Sequence, residues 1–194
     1  SYNFVYGKYP DPGLYIAHDA SPTSAANFEW FMRTFLKGAG IGYSQADAMA
    51  EALPKAESGI LFLPFLTGSN AGLGMKGGIY GLQSAHTLGH VVQAVFEGVT
   101  FSLNVHLKRI RRLFPKAEGL RATGGPARSR PWMQIIADLT GMPVELPLVE
   151  ETGCTGAALA AAVGAGEYDS MAEAAGLFAR SGETIKPDKN AYAR

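Results

Sequence analysis

Residues 120–138 read Leu-Arg-Ala-Thr-Gly-Gly-Pro-Ala-Arg-Ser-Arg-Pro-Trp-Met-Gln-Ile-Ile-Ala-Asp, and this stretch decides the fold. An apolar strand, Leu120 to Thr123, stops at the pair Gly124-Gly125, and a helix begins at Ser129 and runs to about Thr140. Two residues without Cβ at a strand end let a flat ligand lie on the backbone. The following helix turns its free N–H groups and positive dipole end toward any nearby anion. Strand, glycine turn and helix together suit a nucleotide.

Working outward from this unit, Gly141-Met-Pro143 supplies a helix C-cap and stop, and Val144 to Leu146 reads as a short strand. Thr152 to Gly166 reads as a helix of small residues (Gly156, Ala157, Ala158, Ala160, Ala161, Ala162) suited to very close backbone packing. Residues 183–194 are polar and read as a peripheral C-terminal arm beside a main unit of residues 1–182. Upstream, one long helix starts near Ser84 to Thr87 and ends near Phe114-Pro115. Leu88, Val91, Val92, Val95, Phe96, Val99, Leu103, Leu107 and Ile110 form its apolar stripe. Lys108, Arg109, Arg111 and Arg112 crowd its last turns, where they compensate the helix dipole.

Gly59 to Phe65 reads as a buried strand, followed by a glycine-rich loop of about twenty residues. Ser44 is expected to cap a helix that runs to about Leu53 and stops at Pro54. Ser21-Pro22 is a helix start, and Phe28, Phe31, Met32, Phe35 and Leu36 give that helix one apolar face. Gly13 to His18 reads as a short strand with no hairpin before it. Alternating single strands and helices indicate α/β architecture. So few strands suggest a piece of a larger protein.

Composition narrows the function classes. The 194 residues carry a formal net charge of +0 and are 47% hydrophobic, too apolar for a disordered chain. There is no basic excess to indicate nucleic acid, and no apolar run near the ~20 residues of a membrane span. The N-terminal segment lacks the apolar region of a signal peptide. Cys154 is the single cysteine, which excludes an internal disulfide and fits a reducing cytoplasm. It reads as a packing residue.

Other motifs point nowhere else. Gly72-Leu-Gly74-Met-Lys-Gly77 has the spacing of a dinucleotide fingerprint. No helix opens at Gly77, however, and Glu97 lies inside a helix rather than at a strand end. His86 and His90 are four apart, as two zinc ligands on one helix face are, but no third ligand follows at a sensible spacing. A capping or core role fits them better. No nucleophile elbow and no phosphate-loop string is present.

The chain resembles the C-terminal domain of the FGGY-type carbohydrate kinases. The most specific match is Gly77-Gly-Ile79-Tyr-Gly81-Leu82, then seven residues, then His90-Val91-Val-Gln-Ala94-Val95-Phe96-Glu97. Thr123-Gly124-Gly125 with Ser129, Gln134 and Ala137-Asp138 resembles the family's adenosine motif, and Thr152 to Ala162 resembles the helix at its interdomain hinge. Residues 21–30 and 62–70 look most like the L-xylulose kinase and pentulose kinase branch. The likeness runs from about Gly13 to Ser181.

The resemblance implies an actin-like, ribonuclease-H-like fold lacking its first strands. It also implies ATP- and Mg²⁺-dependent phosphoryl transfer to a sugar hydroxyl in the cytoplasm, with a pentulose such as xylulose favoured. By the same resemblance Gly124 and Gly125 lie against the adenosine and Ser129 hydrogen-bonds near the base or ribose. Ala25 stands where glycerol kinases have a phosphate-proximal Gly, and Glu29 stands where they have a Gln, with Asn27 as a polar substitute nearby. The general base, an Asp, belongs to an N-terminal domain that this chain lacks. No catalytic residue and no metal ligand is therefore assigned within it, and the chain alone is expected not to phosphorylate a sugar. The expected partners are ATP, the sugar and that N-terminal domain, with a homodimer as the assembly left open. A non-catalytic nucleotide-sensing or assembly module of the same fold is the alternative.

Overall fold

The computed structural model describes residues 4–21, 24–56, 58–68, 72, 74–149, 151–178 and 181–192. Its spine is helix α3, Leu88–Leu113. Residues 92–100 are buried on every side, whereas the second half of the helix, His106 apart, lies on the surface. The expected stripe therefore holds for Val92, Val95, Phe96 and Val99, while Leu88 and Leu103 stand exposed. Strand β3, Leu61–Leu63, crosses directly over α3 and pairs antiparallel with β4, Gly78–Tyr80. Gly98 permits that crossing, because a Cβ there would come within 2.3 Å of the Phe62 carbonyl oxygen. β4 emerges from what reads in sequence as the end of a glycine-rich loop.

Two shorter helices pack against α3. α1, Ala26–Phe31, continues through a wide π-type turn over Met32–Leu36 and ends at Gly40, whose φ is +73°. The wide turn shifts the register, so Leu36 is fully buried while Phe35 turns out to 49% exposure. Ordered helix begins at Ala26 rather than after Ser21, and Pro22 lies outside the described residues. α2, Tyr43–Glu51, is capped at Gly42, whose N–H donates to Gln45 Oε1 at 2.8 Å, so Ser44 falls inside the first turn. Phe28, Phe96 and Trp132 meet at the centre. Phe96 and Trp132 are stacked at 4.7 Å, and Phe28 meets both edge-on at 4.7 and 5.6 Å.

The glycine pair sits inside a β–α–β unit, as the sequence indicates. β5, Leu120–Arg121, runs parallel to β6, Val144–Pro147, and α4, Arg130–Thr140, connects them. β7, Ser181–Ile185, then adds antiparallel to the other side of β6, with Val144 opposite Ile185. The expected peripheral arm is thus corrected. Ile185 is 3% exposed, and Tyr192 packs against the core. Two buried acids hold this segment. Asp138 accepts from Lys55 Nζ at 2.5 Å, Gln134 Nε2 at 2.8 Å and the Asp188 N–H at 2.7 Å. Glu97 accepts from the Tyr192 hydroxyl at 2.8 Å and the Ala56 N–H at 3.2 Å. Main-chain groups near the end of the chain find partners in the interior, which a free arm does not do.

At the opposite end, β1, Val5–Lys8, and β2, Tyr15–His18, form an antiparallel hairpin. β2 therefore does have a hairpin partner, contrary to the sequence reading. The turn residue Asp11 accepts the N–H groups of Met171 and Ala172 at 2.8 and 3.1 Å, which caps α6, Met171–Phe178. A largely buried Asp19–His106 pair, 2.9 Å apart, ties the chain after β2 to α3. α5, Thr152–Gly164, packs on α6 around Leu159, Met171 and Ala174. Among the described residues nothing comes within 4 Å of a Cβ built on Gly153, Gly156 or Gly164. The very close backbone packing expected of α5 is not made among the described residues. Cys154, expected as a packing residue, is exposed on the same helix.

Candidate functional site

After β5 the chain enters a tight turn at the carboxyl end of the parallel pair, the usual place for ligands in open α/β sheets. Gly124 takes φ +84° and ψ −170°, a conformation essentially restricted to glycine. A single 3-10 turn, Gly125–Arg128, follows, and Ser129 caps α4 by accepting the Trp132 N–H at 3.4 Å. A Cβ at Gly125 would meet nothing within 4 Å, so the glycine leaves an open floor rather than relieving a clash.

That floor borders a cleft of about 640 Å³ between α1, α2 and the start of α4. Its apolar wall is Ala25, Ala26, Phe28, Pro126 and Trp132, and its polar wall is Glu29, Tyr43, Ser44, Asp47, Arg128 and Ser129. Ala25, Glu29, Gly125 and Ser129 are thus brought together from two distant parts of the sequence. Gly124 shapes the turn but does not line the cleft. Asn27 is a correction: it is 2% exposed and points into the core, where its Nδ2 donates to the Ser24 carbonyl at 3.2 Å. Residues 25 and 29 share a helix face, and residue 27 faces the other way.

The sequence reading did not place Tyr43, Asp47, Phe28 or Trp132 in this cleft. The Ser129 hydroxyl donates to Asp47 Oδ1 at 2.6 Å, bridging α4 and α2. Burial pushes the Asp47 carboxyl above its ordinary range, although the Ser129 hydrogen bond pulls it partly back. The Tyr43 hydroxyl donates to Glu29 Oε2, and this bond, with burial and the nearby negative charge, raises the tyrosine pKa. Arg128, the cation of this wall, reaches Glu151 at 3.5 Å. A cleft with apolar faces and carboxylate acceptors suits a flat, uncharged, donor-bearing group. It does not suit a bare phosphate beside Glu29 and Asp47.

The two histidines with zinc-like spacing cap the backbone instead. His86 Nδ1 accepts the Gln83 N–H and His90 Nδ1 accepts the Thr87 N–H, each at 3.0 Å. Among the described residues no three His, Cys, Asp or Glu side chains gather as a metal site. Nor, among them, is any helix long and apolar enough to cross a membrane.

The family model for the C-terminal domain of the FGGY family of carbohydrate kinases matches residues 1–165. The chain belongs to that family. As an FGGY domain it is 48% identical over 189 residues to the L-xylulose/3-keto-L-gulonate kinase of Escherichia coli, covering 97% of this chain and 37% of that protein. It is also 48% identical to a probable L-xylulose kinase of Haemophilus influenzae, covering 98% of this chain and 38% of that protein. The FGGY chain therefore spans little more than a third of these relatives. The crystal structure of a xylulose kinase from Rhodospirillum rubrum matches with a TM-score of 0.80 at 27% identity, over 97% of this chain and 38% of that one. The fold is that of an actin-like ATPase C-terminal domain.

Proposed function

We propose that this domain holds the nucleotide in an ATP-dependent carbohydrate kinase acting on a pentulose such as xylulose. One observation carries the reading: Ala25, Glu29, Gly125 and Ser129 converge on one cleft of about 640 Å³ at the end of the parallel strands. The base would lie over Gly125 and Pro126 beside Trp132, and Asp47 would accept from the ribose or the exocyclic amine. Glu29 and Asp47 require the phosphates to leave this wall, toward a Mg²⁺ carried by ATP and a second domain of the whole protein. That domain would bring the catalytic Asp and the sugar contacts, and closure would exclude water from the transfer. The similarity at 48% identity to an L-xylulose/3-keto-L-gulonate kinase supports the substrate class. A cytoplasmic setting follows from that activity.

The test is ADP release by the whole protein with ATP, Mg²⁺ and L-xylulose, set against sugar-free controls. Sugar-dependent release that disappears on Gly125→Arg supports the proposal. Sugar-independent release, or none with any pentulose, contradicts it.

A further inference from the structure

The two carboxylates that line the cleft beside Gly125 stand in different surroundings. Phe28, Trp132 and Ser129 are buried, whereas Tyr43 is 53% exposed and Glu29 and Ser44 lie on the surface beside it. Glu29 belongs to this outer group, since it accepts from the Tyr43 hydroxyl. Asp47 belongs to the inner one. It is half-buried, its Oδ1 accepts from the Ser129 hydroxyl at 2.6 Å, and Ser129 in turn accepts the Trp132 N–H at 3.4 Å. The flat, apolar faces of a nucleotide base belong against the inner apolar wall, and the hydrated ribose and phosphates belong at the mouth.

The inner group has an acceptor to offer and no spare side-chain donor. A serine hydroxyl carries one proton, and Ser129 commits its proton to Asp47. Asp47 Oδ2 has no hydrogen-bond partner among the described residues and keeps accessible surface, on a side chain that lines the cleft. A carboxylate accepts and does not donate. Adenine joined to ribose has one donor group, its exocyclic amine, while its ring nitrogens accept. We infer that Asp47 is the residue that reads the base, its Oδ2 accepting a hydrogen bond from the adenine exocyclic amine. Ser129 is the positioning residue: it holds the carboxylate in place and does not itself touch the nucleotide. The inference rests on the nucleotide reading proposed above and narrows the Asp47 contact to the amine. A site built to accept from one N–H group discriminates against the analogue that lacks it.

The test is calorimetric titration of the whole protein, with Mg²⁺ and without sugar, by three nucleotides. These are ATP, purine riboside triphosphate, which lacks only the amine, and 2′-deoxy-ATP. Wild type is expected to bind ATP at least tenfold more tightly than the amine-free analogue, a comparison that needs no variant to fold. Asp47→Asn keeps an oxygen for Ser129 and turns an amide donor toward the base, so the advantage of the amine should disappear there, as in Asp47→Ala. Ser129→Ala, which leaves Asp47 present but unheld, should shrink that advantage. The effect of removing the 2′-hydroxyl should be the same in every one of these proteins, which a general loosening of the cleft would not produce. Gly125→Arg separates this inference from the reading beneath it. Unchanged ATP affinity in that variant would place the nucleotide elsewhere, and both would fall. ATP binding lost in Gly125→Arg, with the two purines bound equally by wild type or the amine still favoured in the Asp47 variants, would overturn the Asp47 assignment alone. So would a 2′-deoxy penalty that disappears in the Asp47 variants, because it would give Asp47 to the ribose.

Discussion

α4 and α5 use their residues in opposite ways. α4 buries Trp132, Met133, Ile135, Ile136, Ala137 and Asp138, and its first turn walls the cleft beside Gly125. α5 buries only Leu159 among its thirteen residues, and its glycines meet open space. A helix of large apolar residues fixes its place within the domain. A helix of small ones leaves a smooth face that nothing among the described residues covers. The difference separates the part of the chain that folds around itself from the part whose resemblance is to an interdomain hinge.

The sharpest way to break this contrast is Trp132→Ala. Trp132 is 3% exposed, stacks on Phe96 and donates its Nε1–H to Thr100 Oγ1 at 3.2 Å. Its truncation is expected to cost about 3–5 kcal/mol in chemical denaturation. A loss below about 1 kcal/mol would mean that α4 does not anchor the core.

Gly124→Ala is next in size. At φ +84° and ψ −170° an added Cβ is strained whatever the space around it, for an expected loss of about 1–3 kcal/mol. No loss would show that the turn relaxes to an ordinary backbone.

The buried acid beside the tail gives a smaller effect that depends on pH. Burial raises the Glu97 carboxyl above its ordinary range, and the Tyr192 and Ala56 hydrogen bonds only partly offset this. The folded state therefore holds that proton more tightly than the unfolded chain does. Its contribution to stability falls as pH rises from the ordinary carboxylate range through the raised value. A profile of Tm against pH is expected to decline across that window, and Glu97→Gln should make it shallower. Asp47, shifted in the same direction, keeps the remaining slope. An unchanged slope in Glu97→Gln would contradict the assignment.

The smallest effect belongs to α5. Gly156→Ala adds a Cβ that meets nothing, so helix propensity alone should stabilise the 194-residue chain by up to about 1 kcal/mol. Destabilisation there would mean that the small-residue face is already packed.

What the sequence made legible follows the same division. β5, the glycine turn and α4 are adjacent in the chain, so strand end, cap and helix stripe could be read together. The opposite wall could not be read that way. Asp47 reaches Ser129 across 82 residues, and nothing local to α2 marks Tyr43 or Asp47 as facing a cleft. Asn27 was misplaced because its neighbours were read as a list rather than around a helix. β7 stayed hidden because its run Ser-Gly-Glu-Thr-Ile is mostly polar. Its pairing with β6 and the burial of Ile185 arise from tertiary contact alone.

The central claim is that the Gly125 floor carries the adenosine. Calorimetric titration of ATP into the whole protein, wild type and Gly125→Arg, tests it most directly. The added side chain has room to exist without disturbing the fold, so Tm should hold while the cleft is filled. The account predicts at least a tenfold loss of ATP affinity, about 1.4 kcal/mol, in the variant. Equal affinity in the two proteins would place the nucleotide elsewhere.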